Sequence, residues 1–161
     1  MKTAVMAPVL TLRAGTAADA PAIHALIESH LVEGRLLPRA LGELTIHASR
    51  FVVATADSVV VACAELAPLS TEVAEVRSLV VDRSVRRMGV GGRLIDELRR
   101  LAVARGFDRL CAFTHDAGYF ARRGFSIVPH AWVPEKIARD CSSCDLFRNC
   151  GQHAMMLALE R

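Results

Sequence analysis

Between residues 75 and 92 the sequence strings together residue types that move protons and bind anions: Glu75, Arg77, Arg83, Arg86, Arg87 and the glycines Gly89, Gly91 and Gly92. Glycine lets a backbone approach a ligand with no Cβ in the way. Amides at the start of a helix bind phosphate oxygens, and arginines beside them add charge. Spacing narrows the type of phosphate site. Gly89-Val90-Gly91 is followed by Gly92-Arg93-Leu94, so a G-x-G-x-x-G dinucleotide loop lacks its third glycine, and no G-K-[ST] closes a Walker loop. What remains is Arg86-x-x-Gly89-x-Gly91, with Glu75 upstream as a candidate proton acceptor. The plain alternative for Glu75 is an edge-strand glutamate paired with Arg77.

The elements that must hold these residues follow from periodicity. Residues 75–81 alternate and are rich in branched side chains, as a strand requires. Glu75, Arg77, Leu79 and Val81 share one face. After the loop, Leu94, Ile95, Leu98, Leu101 and Ala102 repeat at helical spacing, and Gly106 ends that helix. Upstream, residues 10–13 read as a strand. Thr16-x-x-Asp19 resembles a capping box before a helix with Ile23, Leu26, Ile27 and Leu31 on its buried stripe, ended by Gly34. A second helix carries Leu41, Leu44 and Ala48. Residues 51–56 and 59–66 are strands joined by Asp57-Ser58, a tight hairpin. Downstream come a strand over 110–114, a short helix from Asp116 to Gly124, and strands over 125–128 and 154–159. His130 and Trp132 fall in a loop, with Trp132 as packing. The order β-α-α-β-β-β-α-β-α-β-β predicts an α/β (α+β) architecture: a mixed seven-stranded sheet flanked by about four helices, in a single domain over residues 1–161.

Composition agrees. The chain has 161 residues, 52% of them hydrophobic, enough for a substantial core. A net charge of +3 with arginines bunched at the loop suits an anionic small molecule and is too small to imply nucleic acid. No apolar run approaches a membrane span and the start lacks a signal-peptide pattern, so a reduced, cytoplasmic protein is expected. Of five cysteines, Cys63 and Cys111 lie in strand-like runs and read as buried thiols. Cys141-x-x-Cys144, Cys150 and His153 could close a zinc tetrahedron, form a disulfide or stay free. The spacing is not that of a standard zinc site, and no metal is assigned.

The Arg86-x-x-Gly89-x-Gly91 motif directly after an alternating strand resembles the acetyl-CoA pyrophosphate loop of the GNAT N-acetyltransferases, and the element order matches theirs throughout. The stretches GRLLPRALGEL, AEVRSLVVD, FARRGF and EKIARDCSSCDLFRNCGQHAMML are similar to one branch, the short bacterial amino-acid N-acetyltransferases of the N-acetylglutamate synthase type. The resemblance implies acetyl-CoA as cosubstrate and an amino acid, glutamate first, as acceptor, in arginine biosynthesis. Partners are then a small-molecule substrate and a possible second copy of the chain as homodimer, with neither nucleic acid nor membrane. Another amine (a polyamine, an antibiotic or a protein N-terminus) and a non-catalytic acetyl-CoA sensor are the competing readings.

Carried over residue by residue, the resemblance makes Glu75 the catalytic base, acting through a water. It gives the backbone of Leu79, Val80 and Val81 to pantetheine, and Arg86, Arg87, Met88, Gly89, Val90, Gly91 and Gly92 to the pyrophosphate. Arg39 and Arg123 fall at positions suggested to hold substrate carboxylates, with Arg77 a weaker candidate. Many relatives carry a tyrosine acid four residues before the glycine of a Gly-Phe pair. Here that residue is Phe120, and Tyr119 is one position off, about 100° around a helix. A tyrosine acid is therefore not expected. His115 is a minor candidate near the reacting centre.

Overall fold

In the computed structural model residues 6–145 and 150–160 are described. Seven strands, β1 (Leu10–Ala14), β2 (Phe51–Ala56), β3 (Val59–Pro68), β4 (Val73–Val81), β5 (Arg109–Thr114), β6 (Ser126–Val128) and β7 (His153–Ala158), form one sheet in the order β1-β2-β3-β4-β5-β7-β6. It is mixed, as expected: β4 and β5 run parallel, whereas β1 and β2, β5 and β7, and β6 and β7 are antiparallel. The helices are α1 (Ala20–His30), α2 (Leu41–His47), α3 (Val90–Ala104) and α4 (Ala117–Ala121). A short fifth, α5 (Pro134–Lys136), runs on into a single π turn over Ile137–Cys141.

Contacts group the residues into two compact units, 1–64 with 78–94, and 65–77 with 95–161. In the first, Ile23, Leu26 and Ile27 of α1 pack with Leu44 of α2, Phe51 and Val53 of β2, Cys63 of β3 and Val80 of β4. Burial of this apolar stripe, rather than helix propensity, holds α1 in place. Its start is fixed electrostatically. The Asp19 carboxylate accepts two 2.7 Å bonds from the Arg13 guanidinium and one of 2.8 Å from the Thr16 backbone N–H. α1 ends at His30, and a 3₁₀ turn over Leu31–Glu33 leads into Gly34 at φ 71°. The Asp57-Ser58 hairpin forms with both residues left-handed (φ 48° and 67°), as a primed two-residue turn demands.

In the second unit, Leu69, Val73, Cys111, Val128, Val133 and Ala154 make the core. The helical run from Pro134 to Cys141 was not expected from the sequence. Trp132 is exposed rather than packed; it sits on a single 3₁₀ turn over His130–Trp132. Among the described residues, no helix is long and apolar enough to cross a membrane.

Candidate active site

β4 carries the first set of candidate residues, and it is not a regular strand. Ser78 has φ 49°, a left-handed conformation that costs a non-glycine residue about 1 kcal/mol or more. The alternation expected over 75–81 is interrupted there. The parallel register with β5 runs from Val73↔Arg109 to Glu75↔Cys111, ending three residues short of Ser78.

In the unit of residues 65–77 and 95–161, Glu75 is buried. Its Oε1 accepts a 2.8 Å hydrogen bond from Nζ of Lys136. Its Oε2 lies 3.5 Å from Nε of Arg77 and has no hydrogen-bond partner among the described residues. Lys136 Nζ also reaches Oδ2 of Asp140 at 2.9 Å, and Arg77 Nη2 donates to the same oxygen at 3.2 Å. Two carboxylates and two cations thus interlock. Burial pushes the Glu75 carboxyl above its ordinary value, while Lys136 and Arg77 pull against that rise. At Asp140 partial burial also works upward, but the Lys136 hydrogen bond and the charges of Lys136, Arg77 and Arg139 outweigh it and leave the carboxyl below its ordinary value. Arg77 was singled out from the sequence as an acceptor ligand; the structure gives it two internal carboxylates as partners. Lys136 and Asp140 were missed as site residues, although both lie in the EKIARD stretch that carries the family resemblance.

Arg123 donates to the Tyr119 carbonyl at 2.7 Å, and its guanidinium lies 3.8 Å from the centre of the Tyr119 ring. Phe120 is buried, edge-on to Phe125 with ring centroids 5.2 Å apart, so a core side chain stands four residues before Gly124. His115 is exposed. Cys141, Cys144 and Cys150 are free thiols. Among the described residues, no three or more His, Cys, Asp or Glu side chains come together as a metal-ligand set.

In the unit of residues 1–64 and 78–94 lies the glycine loop. Asp82 opens it by accepting from the Ser84 backbone N–H at 2.9 Å and from its hydroxyl at 2.6 Å. One 3₁₀ turn over Arg83–Val85 follows. Arg87 (φ 64°) and Gly89 (φ 75°) are left-handed, and α3 begins at Val90. Arg93 N–H bonds back to the Gly89 carbonyl at 3.1 Å. The amides before it, from Val90 to Gly92, have no carbonyl within the helix to donate to. Left-handed turns followed by such amides form an anion-binding concavity. A Cβ on Gly89 would meet nothing within 4 Å, so the loop is open at that point. These features fit a pyrophosphate.

Arg86 is held beside this loop. Its Nη2 reaches both oxygens of Glu33 at 2.9 and 2.8 Å, and its Nε donates to the Val81 carbonyl at 3.1 Å. Arg83 also pairs with Glu33, at 3.0 Å. The Val81 carbonyl therefore has a partner already, whereas Leu79 and Val80 precede this clamp. Arg39 is largely buried, with its side chain 8% exposed. It grips Glu43 through Nε and Nη2, at 2.7 Å for the latter, and donates from Nη1 to the Ser78 hydroxyl at 2.8 Å.

The chain is similar to known proteins. A profile of the acetyltransferase (GNAT) family matches residues 21–125. An uncharacterized N-acetyltransferase of Chlorobaculum tepidum is 31% identical over 142 residues, which is 88% of this chain and 92% of that protein. An amino-acid acetyltransferase of Mycobacterium tuberculosis is 28% identical over 140 residues, 84% of this chain and 79% of its own length. Among solved structures, N-acetylglutamate synthase from Neisseria gonorrhoeae complexed with coenzyme A and N-acetyl-glutamate aligns with a TM-score of 0.84 at 28% identity. The alignment covers 97% of this chain and 36% of the synthase chain, so this chain spans about a third of that protein.

Proposed function

The chain belongs to the acetyltransferase (GNAT) family, and from that footing we propose that it acetylates the α-amine of a free amino acid, glutamate first, with acetyl-CoA as donor. One observation carries the reading: the likeness, along nearly the whole chain, to a synthase solved with coenzyme A and N-acetyl-glutamate. The place of this reaction in arginine biosynthesis and in the cytoplasm belongs to the same proposal.

Acetyl-CoA supplies an acetyl carbon activated as a thioester. The net change forms a C–N bond and breaks a C–S bond, and the substrate ammonium gives up two protons, one to a base and one to the departing sulfur. The chain's part is to bind, orient and accept a proton. Left-handed Arg87 and Gly89, with the amides of Val90, Gly91 and Gly92, receive the pyrophosphate, and Arg86 and Met88 flank it. Backbone groups of Leu79 and Val80 receive the pantetheine arm as an added strand would, with Val81 secured by Arg86. Glu75 accepts the amine proton through a water. A carboxyl raised by burial is a stronger base than an exposed one, as a base working near neutral pH requires. Arg39 and Arg123 recognise the acceptor carboxylates by forked hydrogen bonds, and Arg77 works through Glu75.

A panel of free amino acids incubated with acetyl-CoA, read by thiol release, tests the reading. Glutamate is expected to give the highest kcat/KM. A panel with no active amino acid, set beside an active polyamine or peptide N-terminus, would move the chain to another acceptor class.

A further inference from the structure

Lys136 is a charged residue that function has not yet absorbed, and its surroundings are unusual for a lysine. Only 9% of it is exposed. Its ammonium is shared between Oε1 of Glu75 at 2.8 Å and Oδ2 of Asp140 at 2.9 Å, and it lies 5.3 Å from the centre of the Phe113 ring. Lysines are almost never buried unless paired, and removing one partner of a buried pair leaves the other charge uncompensated. The groups facing Glu75 come from three elements: Arg77 on β4 itself, Lys136 on α5 with Asp140 one turn on, and Cys111 opposite it on β5. Burial and the nearby Glu75 push the Cys111 thiol far above its ordinary value, so Cys111 carries no charge at neutral pH. Of the two cations, Lys136 makes the only hydrogen bond to the Glu75 carboxylate among the described residues; Arg77 stands 3.5 Å from the other oxygen.

We propose that Lys136 is a positioning residue for the proton-accepting step: its ammonium holds the Glu75 carboxylate ionised and in one orientation, and Asp140 anchors that ammonium. The inference rests on Glu75 as the base. It adds that the base is switched on by a residue 61 positions away, on a helix of three residues. Asp140 has a second effect of opposite sign, because its negative charge works against ionisation of Glu75. Removing Lys136 and removing Asp140 therefore move Glu75 in opposite directions, which a merely structural role for both would not do.

The experiment has two readouts on the full chain. A carbon-13 titration of labelled glutamate carboxyls, with the E75Q spectrum identifying the Glu75 signal, reads its midpoint directly. The pH profile of kcat reads the group that must be deprotonated. K136M is expected to raise the Glu75 midpoint by about 1–3 pH units, the effect of an opposite charge at this range, and to carry the acid limb of kcat with it. K136R should restore both toward wild type, and D140N should lower the midpoint. An unmoved midpoint in K136M, or a shift of the same sign in K136M and D140N, overturns the inference. If K136M does not fold, K136Q decides by the same readout: a raised midpoint supports the linkage and an unmoved one overturns it. Failure of the base reading is separate, since an acid limb that persists in E75Q would remove Glu75 from catalysis whatever the titration shows.

Discussion

At the scale of single residues, Gly89 shows how a motif acquires a physical reason. Its φ of 75° lies where L side chains are strained, yet the space a Cβ would enter is empty. Sterics and strain can therefore be separated. Gly89→Ala adds no clash, so its cost comes from backbone strain, about 1 kcal/mol. Gly89→Glu adds the same strain together with a negative charge where phosphates are to sit. The expected order of acetyl-CoA affinity in titration calorimetry is wild type, then Ala, then Glu, with Glu abolishing measurable binding. Normal binding by both variants would separate the loop from the cofactor. Arg86 differs from its neighbour in kind, since Glu33 and the Val81 carbonyl fix its guanidinium in advance. Burial of Lys136 is the residue-scale fact that sequence could not supply. A Glu-Lys pair followed four residues later by an aspartate reads as a solvated helix face. Only the fold shows that Lys136 points at a carboxylate far back in the chain.

At the scale of elements, the link between β1 and α1 is an electrostatic joint with a pH signature. The Arg13 hydrogen bonds hold the Asp19 carboxyl well below its ordinary range, against a smaller opposing effect of desolvation. A depressed folded value means the stabilisation is fully present above the unfolded value of about 4 and is lost as pH falls below it. Asp19→Asn removes this acid-sensitive part. Arg13 is nearly half exposed, so solvent screening discounts the pair, and the loss at pH 7 is about 1–2 kcal/mol. Thermal unfolding should show a gap between wild type and variant that narrows as pH falls from about 4 to 2; a constant gap would mean that Asp19 acts through geometry alone. The helix start was legible, because Thr16-x-x-Asp19 announces it; the pairing of Asp19 with Arg13 was not. Also legible were the Asp57-Ser58 hairpin and α3, whose signals are local and strongly periodic. The left-handed backbone at Ser78 was not, since no Gly or Pro marks it and the Ser78 hydroxyl takes its hydrogen bond from Arg39, 39 residues away. The helical turns from Pro134 to Cys141 are too short for a period to be read. Their place is set by Val133 in the core and by Lys136 at Glu75.

At the scale of the whole molecule, acceptor choice is a property that no single element holds. Arg39 and Arg123 each already have internal partners: Glu43 and Ser78 for Arg39, Tyr119 for Arg123. A substrate carboxylate taken up by Arg39 must share it with Glu43. Two kinds of substitution separate recognition from scaffolding. Arg39→Ala or Arg123→Ala should remove uniform binding of the acceptor, raising the KM for glutamate at least tenfold if a buried carboxylate loses about 2–5 kcal/mol with its partner. The KM for acetyl-CoA should stay nearly unchanged. Glu43→Gln withdraws a competing carboxylate, so it should lower the KM for glutamate if Arg39 binds substrate. If Arg39 serves only to hold Ser78 in its left-handed conformation, Glu43→Gln should leave that KM alone and Arg39→Ala should lower kcat instead. Glutamine, which lacks the second charge, should be the poorer substrate of wild type, and the difference should shrink in whichever arginine variant has lost the side-chain contact. Steady-state kinetics with both amino acids on the four proteins reads every arm. Glutamate failing as a substrate, or neither arginine changing its KM, would hand the acceptor site to another class of amine.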